Sequence, residues 1–388
     1  MPRPQCISRA LPLLFLLSPL GACGGGDAPG ADLPAAAIQA WQGSVATSEG
    51  AQNVRNPDRP LLPDGSVRVD TAWRVSQAGA WQRPTALALG GENVFLLDPP
   101  AGLVHVVTQQ GEEQDDIGDA AGFSEPVSIA WSDGTIAVGD QGRLGILMMR
   151  DDGLTREPVR GLDRPAVHGL ASGGFFANPY AGLTHQWRAW GPRRDTTMLE
   201  LPRWGESAYC ASVSGGRWIL QADCASPSFR VFDEAGKLVR QVGVDRPAAA
   251  APAAPALSDS ALGELQQQLM AGEPDDSVLA RLLAAGGPAR VTRGARHDPA
   301  SKLFALWGQL PAGGAWVDLF SEEGVYLATV RFGRPWADVG FARSTLFALE
   351  EGENGAVTLV AYRLHLPSNA LSAARDAARA RGAGSSGG

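Results

Sequence analysis

From about residue 67 onward the chain is a succession of short apolar runs separated by turn residues. Val94-Phe-Leu-Leu-Asp98 leads to Leu103-Val-His-Val-Val107 and then Gly111. Ile136-Ala-Val-Gly-Asp140 leads to Leu144-Gly-Ile-Leu-Met148 and Gly153. The same order returns at residues 175–191, 218–236, 303–324 and 346–362. Runs this short, rich in β-branched and aromatic residues and bounded by Gly, Asp and Asn, predict strands rather than helices. A further strand precedes each pair and often opens on proline, as at Pro84, Pro126 and Pro165. Proline suits a strand's first position, where its missing N–H is not needed by the ladder. A fourth strand follows each glycine turn, as in residues 237–242 and 325–330.

The turn markers Asp98, Asp140, Asn178 and Asp223 recur about every 40 residues, and Gly308 and Glu350 resume the series after one longer gap. Four strands at that period make the blade of a β-propeller. Six units are visible. The sixth lacks a fourth strand of its own, while residues 67–75 form a strand without a unit. That strand is expected to pair with residues 357–362 and close the last blade, which would otherwise expose a sheet edge. The pattern resembles six-bladed propellers of the NHL-like kind over residues 67–366. The resemblance implies an all-β, six-bladed β-propeller with four-stranded blades. It implies no single activity, because such propellers serve as scaffolds, sensors and enzymes.

Three segments fall outside the repeat. Residues 246–288 interrupt it between blades four and five. After an Ala/Pro linker, Leu262, Leu265 and Leu269, then Leu279, Leu282 and Leu283, stand at helical spacing around the breaker Gly272-Glu273-Pro274; a helical hairpin is predicted. Residues 23–66 have no sustained period and read as a flexible tether. Residues 367–388 read as a polar, Ala/Arg-rich tail with room for a brief helix.

At the N-terminus, Arg3 and Arg9 flank an apolar run at residues 11–20. The run is too short to cross ~30 Å of hydrocarbon, so residues 1–22 read as a cleaved export signal. Its ending, Leu20-Gly21-Ala22-Cys23, resembles a bacterial lipobox. The resemblance implies a signal peptide of the lipoprotein type, a lipid on Cys23, and a cell-envelope protein held to the membrane by that lipid. Gly24 in place of Asp implies the outer membrane, facing periplasm or surface, in a cell with two membranes. Several acyl chains on the mature cysteine would make the anchor durable.

Composition narrows the remaining choices. At 388 residues and 44% hydrophobic content the chain can bury a large core. A net charge of −8 excludes the concentrated basic face that nucleic-acid binding needs. Of four cysteines, Cys6 leaves with the signal and Cys23 takes the lipid. Cys210 and Cys224 remain, and an even pair in an oxidising compartment reads as a disulfide across a hairpin base; two buried free thiols are the alternative.

No two histidines stand at metal-ligand spacing. His168 replaces the apolar residue of an innermost strand, where unit two has Ile129, and is expected to face the central channel. The acidic and amide turn residues are expected to bond nearby backbone N–H groups. The pairs Arg83-Pro84, Arg164-Pro165 and Arg334-Pro335 recur at the start of inner strands, and Arg203 holds a similar place in unit four. A ring would gather these arginines at one mouth of the channel, where guanidinium forks suit carboxylate or phosphate. Trp81, Trp204 and Trp336 lie beside them and would supply an apolar floor; Glu125, Asp163 and Asp338 are candidate internal partners. No nucleophile elbow, Walker loop or His-Glu-x-x-His motif is present. The expected function is a non-catalytic envelope scaffold or ligand-binding module without a cofactor, engaging a protein partner or a small anionic ligand. The alternative is a propeller enzyme, a lactonase-like hydrolase or a lyase, with a metal in the channel.

Overall fold

The computed structural model describes residues 41–76, 81–117, 123–140, 217–223, 226–245, 291–310, 313–352 and 354–382, together with the strands given below between 145 and 211 and a few residues beside them. β1 (Ser44–Ser48) and β2 (Ala51–Pro57) form an antiparallel hairpin. Its two turn residues, Glu49 and Gly50, have φ of 52° and 80°, positive at both positions as a tight hairpin of matching twist requires. β3 (Arg68–Ser76) then departs to a distant sheet.

The repeat units follow in order. The first holds β4 (Ala86–Gly90), β5 (Asn93–Asp98) and β6 (Leu103–Thr108), with bridges Val107↔Glu113 and Val104↔Ile117 in the fourth position. The second holds β7 (Pro126–Ser132), β8 (Thr135–Asp140), β9 (Gly145–Arg150) and β10 (Gly153–Pro158). The third holds β11 (Ala166–Gly169), β12 (Phe175–Asn178), β13 (Gln186–Gly191) and β14 (Arg194–Glu200). The fourth holds β15 (Tyr209–Ala211), β16 (Trp218–Asp223), β17 (Ser228–Asp233) and β18 (Leu238–Asp245). The fifth holds β19 (Val291–Asp298), β20 (Leu303–Gln309), β21 (Ala315–Ser321) and β22 (Tyr326–Phe332). The sixth holds β23 (Trp336–Ala342), β24 (Thr345–Glu351) and β25 (Val357–His365), and α1 (Ala370–Gly382) ends the described chain.

Each unit is an antiparallel meander, and the described strands fall into separate small sheets, a propeller-like arrangement. The middle strands explain the continuous apolar runs in the sequence. β8 and β21 are buried at every position, because neighbouring sheets cover both faces. Leu87, Val94 and Leu96 of the first unit pack with Phe347, Leu349 and Leu359 of the sixth. The expected closure is present: β3 runs antiparallel to β25 from Thr358↔Ser76 to His365↔Arg68. Trp73 of β3 also donates its Nε1–H to Gln109 O of the first unit at 3.0 Å.

Of the two terminal segments, the first differs from expectation and the second forms the helix for which it had room. Part of the expected tether is structured. β2 joins the outer edge of β18 in parallel, so the fourth sheet has six strands rather than four. Trp41, Val54, Leu61 and Leu62 are buried, and the backbone N–H groups of Leu61 and Leu62 donate to Tyr326 O and Leu327 O of the fifth unit. A few well-placed apolar residues suffice because a ready-made sheet edge supplies the hydrogen bonds. The expected polar tail is helical over α1. Its buried face is alanine alone, at Ala370, Ala373, Ala374, Ala377 and Ala378; the i, i+3, i+4 spacing sets them on one side. Arg379 and Arg381 in its last turn complement the helix dipole. The helical hairpin expected within 246–288 lies outside the described residues.

Candidate ligand-binding channel

The innermost strands β4, β7, β11, β19 and β23 line one cavity of about 780 Å³. Their residues meet closely because small residues stand where neighbouring sheets converge. A Cβ on Gly340 of β23 would lie 2.7 Å from Leu89 Cγ and 2.8 Å from Leu87 Cδ1 of β4. At Gly90 the same atom would collide with the indole of Trp131 from β7. Glycine therefore lets the leucines and the tryptophan lie directly over an adjacent backbone.

The polar side of the cavity is built across the fifth, sixth and first units. Arg296 of β19 donates from Nε to Val339 O at 2.6 Å, from Nη1 to Ala295 O at 3.0 Å and from Nη2 to Asp338 Oδ1 at 2.6 Å. Asp338 of β23 accepts from its neighbour Val339 N at 2.8 Å and, through Oδ2, from Leu87 N at 3.0 Å. Both side chains are about one-sixth exposed, 16% and 15%. In the second and third units a serine has a similar role: Ser128 Oγ of β7 accepts from Val167 N of β11 at 3.0 Å. At the β19–β20 turn Asp298 accepts from Ala300 N at 3.0 Å, Ser344 N at 2.7 Å and the Ser301 hydroxyl.

His168 lines the cavity as expected. Burial, reinforced by the Arg296 guanidinium, pulls its imidazole down from 6.5 to about 3, so it is neutral at physiological pH. Among the described residues, no group of three or more His, Cys, Asp and Glu side chains is arranged to hold a metal ion.

Of the other expected site residues, the described arginines and tryptophans do not form the expected mouth. Arg83 and Arg334 are exposed, and neither is among the residues lining the cavity. Trp81 and Trp336 form no open floor. Trp81, 4% exposed, packs in the core between the first and sixth units and stacks on His105 with centroids 5.7 Å apart. Trp336 is fully buried against Phe332, 4.4 Å between centroids, and Tyr362. Both indoles are large enough that packing between sheets outcompetes display at a rim. Arg164, Arg203, Trp204 and Cys23 lie outside the described residues. Cys210 stands opposite Ala222 on the β15–β16 pair, and Cys224 lies outside the described residues.

The expected turn role of the acids holds at Asp98 and Asp140, with a longer reach than a local turn. Asp98 accepts from Gln82 N at 2.6 Å and Arg83 N at 3.0 Å; Asp140 accepts from Ser124 N and Glu125 N, both at 2.8 Å. Each carboxylate thus ties down the connection into its own unit's inner strand. His105, nearly inaccessible, lies between Asp98 Oδ2 at 3.1 Å and Asp116 Oδ1 at 2.9 Å and fixes the first of these carboxylates.

Sequence reasoning missed Arg296 as a channel residue, and treated Asp338 as a partner for the rim arginines. The available signal was Val291-Thr-Arg-Gly-Ala-Arg-His-Asp298, an inner strand with two arginines and no opening proline.

No family model matches the chain, and no curated protein matches its sequence. Solved structures match its shape. A protein of Bacteroides fragilis designated as exported aligns with 80% of this chain and 99% of its own, at 9% identity and a TM-score of 0.50. A member of the DUF4221 family from Bacteroides vulgatus aligns with 78% and 99%, at 7% identity and a TM-score of 0.51. Virginiamycin B lyase from Staphylococcus aureus aligns with 76% and 99%, at 8% identity and a TM-score of 0.43. At such identities the likeness is one of architecture, and it supports a β-propeller-like fold for this chain.

Proposed function

We propose that this chain is an exported, lipid-anchored six-bladed propeller of the cell envelope that holds a ligand in its channel without transforming it. The leader and the Leu20-Gly21-Ala22-Cys23 sequence support export and anchoring. Among the described residues no helix is long and apolar enough to cross a membrane. Designation of one shape neighbour as exported agrees with that compartment. Six units and the β3–β25 closure support the blade count.

The observation that carries the binding role is the channel itself. Its volume lies within the roughly 300–1,000 Å³ of small-molecule sites. The absence of turnover is supported by how two of the three described carboxylates lining it are engaged. Asp338 and Asp298 each accept two backbone N–H bonds as well as a side-chain donor. A general base must aim a lone pair at substrate, and these lone pairs face the scaffold.

Native and denaturing mass spectrometry of the protein purified from the membranes of the cells that make it tests both parts. The expected result is a mature chain beginning at acylated Cys23, with a small molecule retained under native conditions and released unchanged on denaturation. An unmodified N-terminus elsewhere contradicts the anchor. A retained metal, or a bound molecule converted on incubation, contradicts the non-catalytic reading.

A further inference from the structure

We infer that the channel takes an uncharged small molecule, with an apolar body against the leucine and tryptophan wall and a carbonyl or hydroxyl edge toward Arg296. This deepens the binding role proposed above and rests on it.

The wall comes first. Leu87 and Leu89 of β4, with Ile129 and Trp131 of β7, line one side of the cavity. Leu87 and Leu89 are fixed over Gly340, and Trp131 over Gly90. A wall whose side chains are already ordered loses little conformational freedom when it binds. It offers dispersion and apolar contact, with little of its own to hydrogen-bond.

The cavity also has a charged lining, and it is balanced. Arg293, Arg296 and Arg343 line the cavity together with Asp133, Asp298 and Asp338. Among the described lining residues, equal numbers of opposite charges leave no formal surplus, and the His168 imidazole adds none at neutral pH. Asp338 also neutralises Arg296 directly at 2.6 Å. An ion brought beside this pair gives up water without a net counter-charge from it, and that desolvation is expensive. An uncharged oxygen does not meet this penalty.

Arg296 supplies the polar contact. A guanidinium has five N–H donors. Three are bonded to Val339 O, Ala295 O and Asp338 Oδ1, which leaves two for a ligand acceptor. The side chain is held in place by those bonds, so an incoming carbonyl or hydroxyl meets a positioned donor. An apolar ligand without an acceptor would leave this donor dry, which is costly. The ligand chemistry that satisfies both sides is therefore amphipathic and neutral.

A matched pair of fluorescent probes tests the class. 6-Propionyl-2-(dimethylamino)naphthalene is uncharged and ends in a ketone acceptor, and 6-(dimethylamino)naphthalene-2-sulfonate is the same ring system with a sulfonate in the ketone's place. Each is titrated into the full chain carrying Cys23→Ser, which keeps acyl chains out of the assay. The uncharged probe is expected to bind saturably at one site, and the sulfonate about tenfold more weakly or worse. Leu89→Glu, which adds an unpaired charge to the wall, is expected to weaken the uncharged probe about tenfold. Leu89→Phe narrows the same wall without charge, is expected to weaken it too, and covers the case in which the glutamate variant does not fold. Sulfonate binding as tight as that of the uncharged probe overturns the ligand class while leaving the channel as a site. Failure of both probes to bind overturns the channel-binding role itself. Uncharged-probe binding unchanged in the Leu89 variants puts the probe elsewhere and overturns the placement.

Discussion

Asn56→Ala is expected to destabilise the molecule more than any other single change in the N-terminal hairpin. Asn56 is fully buried on β2. Its Oδ1 accepts from Tyr326 N at 2.7 Å, and its Nδ2 donates to Gly324 O at 2.9 Å and Gly243 O at 3.2 Å. One side chain thus links the fourth unit, through Gly243, to the turn and outer strand of the fifth. Removing it leaves a buried N–H and two carbonyls short of a partner, each at about 1–3 kcal/mol. Taking the low end for each gives about 3 kcal/mol. At about 2 °C per kcal/mol for a large domain, the melting temperature should fall by about 6 °C. Asn56→Asp should do no better, because its carboxylate keeps an acceptor for Tyr326 N but faces two carbonyl oxygens. The control is Gln52→Ala on the same strand, an exposed residue whose Oε1 accepts from Arg240; it should cost less than about 0.5 kcal/mol. Thermal unfolding by circular dichroism reads the difference, and hydrogen exchange at the Tyr326 amide should accelerate in Asn56→Ala. A loss no larger than that of the control would show that the hairpin is an ornament on the ring, not a strap between units.

Four further outcomes follow from the same structure. Deleting residues 68–76 removes the strand paired with β25 and should lower the melting temperature of the whole ring as one transition; a truncated protein that melts like the parent would contradict the closure. Because His168 is held neutral down to about pH 3 while its unfolded form protonates near 6.5, stability should fall as pH drops from about 6.5 toward about 3, and His168→Leu should flatten that slope in melting curves across the range. Arg296→Met should cost about 3 kcal/mol by stranding Asp338, and adding Asp338→Leu should recover part of it; strict additivity of the two in denaturant titrations would argue against a coupled pair. Peptide mapping without reductant should recover Cys210 and Cys224 in one linked peptide, whereas two free thiols would place the chain in a reducing compartment or the cysteines apart.

The ring was legible because its strands repeat and its middle strands are buried on both faces. Residues 94–97, 136–138 and 346–349 are apolar for that reason, and the missing fourth strand of the last unit pointed to residues 67–75. The hairpin at β1 and β2 was not legible, since Ser, Thr, Gln and Asn dominate it and its few anchors, Trp41, Val54, Leu61 and Leu62, show no period. Its stability comes from the edge of β18, a partner far away in sequence. The tryptophans near the Arg-Pro steps were misplaced because proximity in sequence says nothing about which side of a turn an indole takes; Trp81 and Trp336 turned inward. His168 was found by aligning units, but Arg296 was not, because unit five lacks the opening proline that set the alignment. The pairing of Arg296 with Asp338 depends on two adjacent inner strands meeting in space, which no single unit's sequence contains.

The central claim is that the channel bounded by Leu87, Leu89, Trp131 and Arg296 is a ligand site. Difference density from crystals of the protein soaked with 6-propionyl-2-(dimethylamino)naphthalene tests it most directly. The account predicts one probe molecule inside the channel, its rings against Leu89 and Trp131 and its ketone oxygen toward Arg296. A channel filled only with water, with the probe seated at the exposed rim near Arg83 and Arg334 or on the outer faces of the sheets, would contradict it.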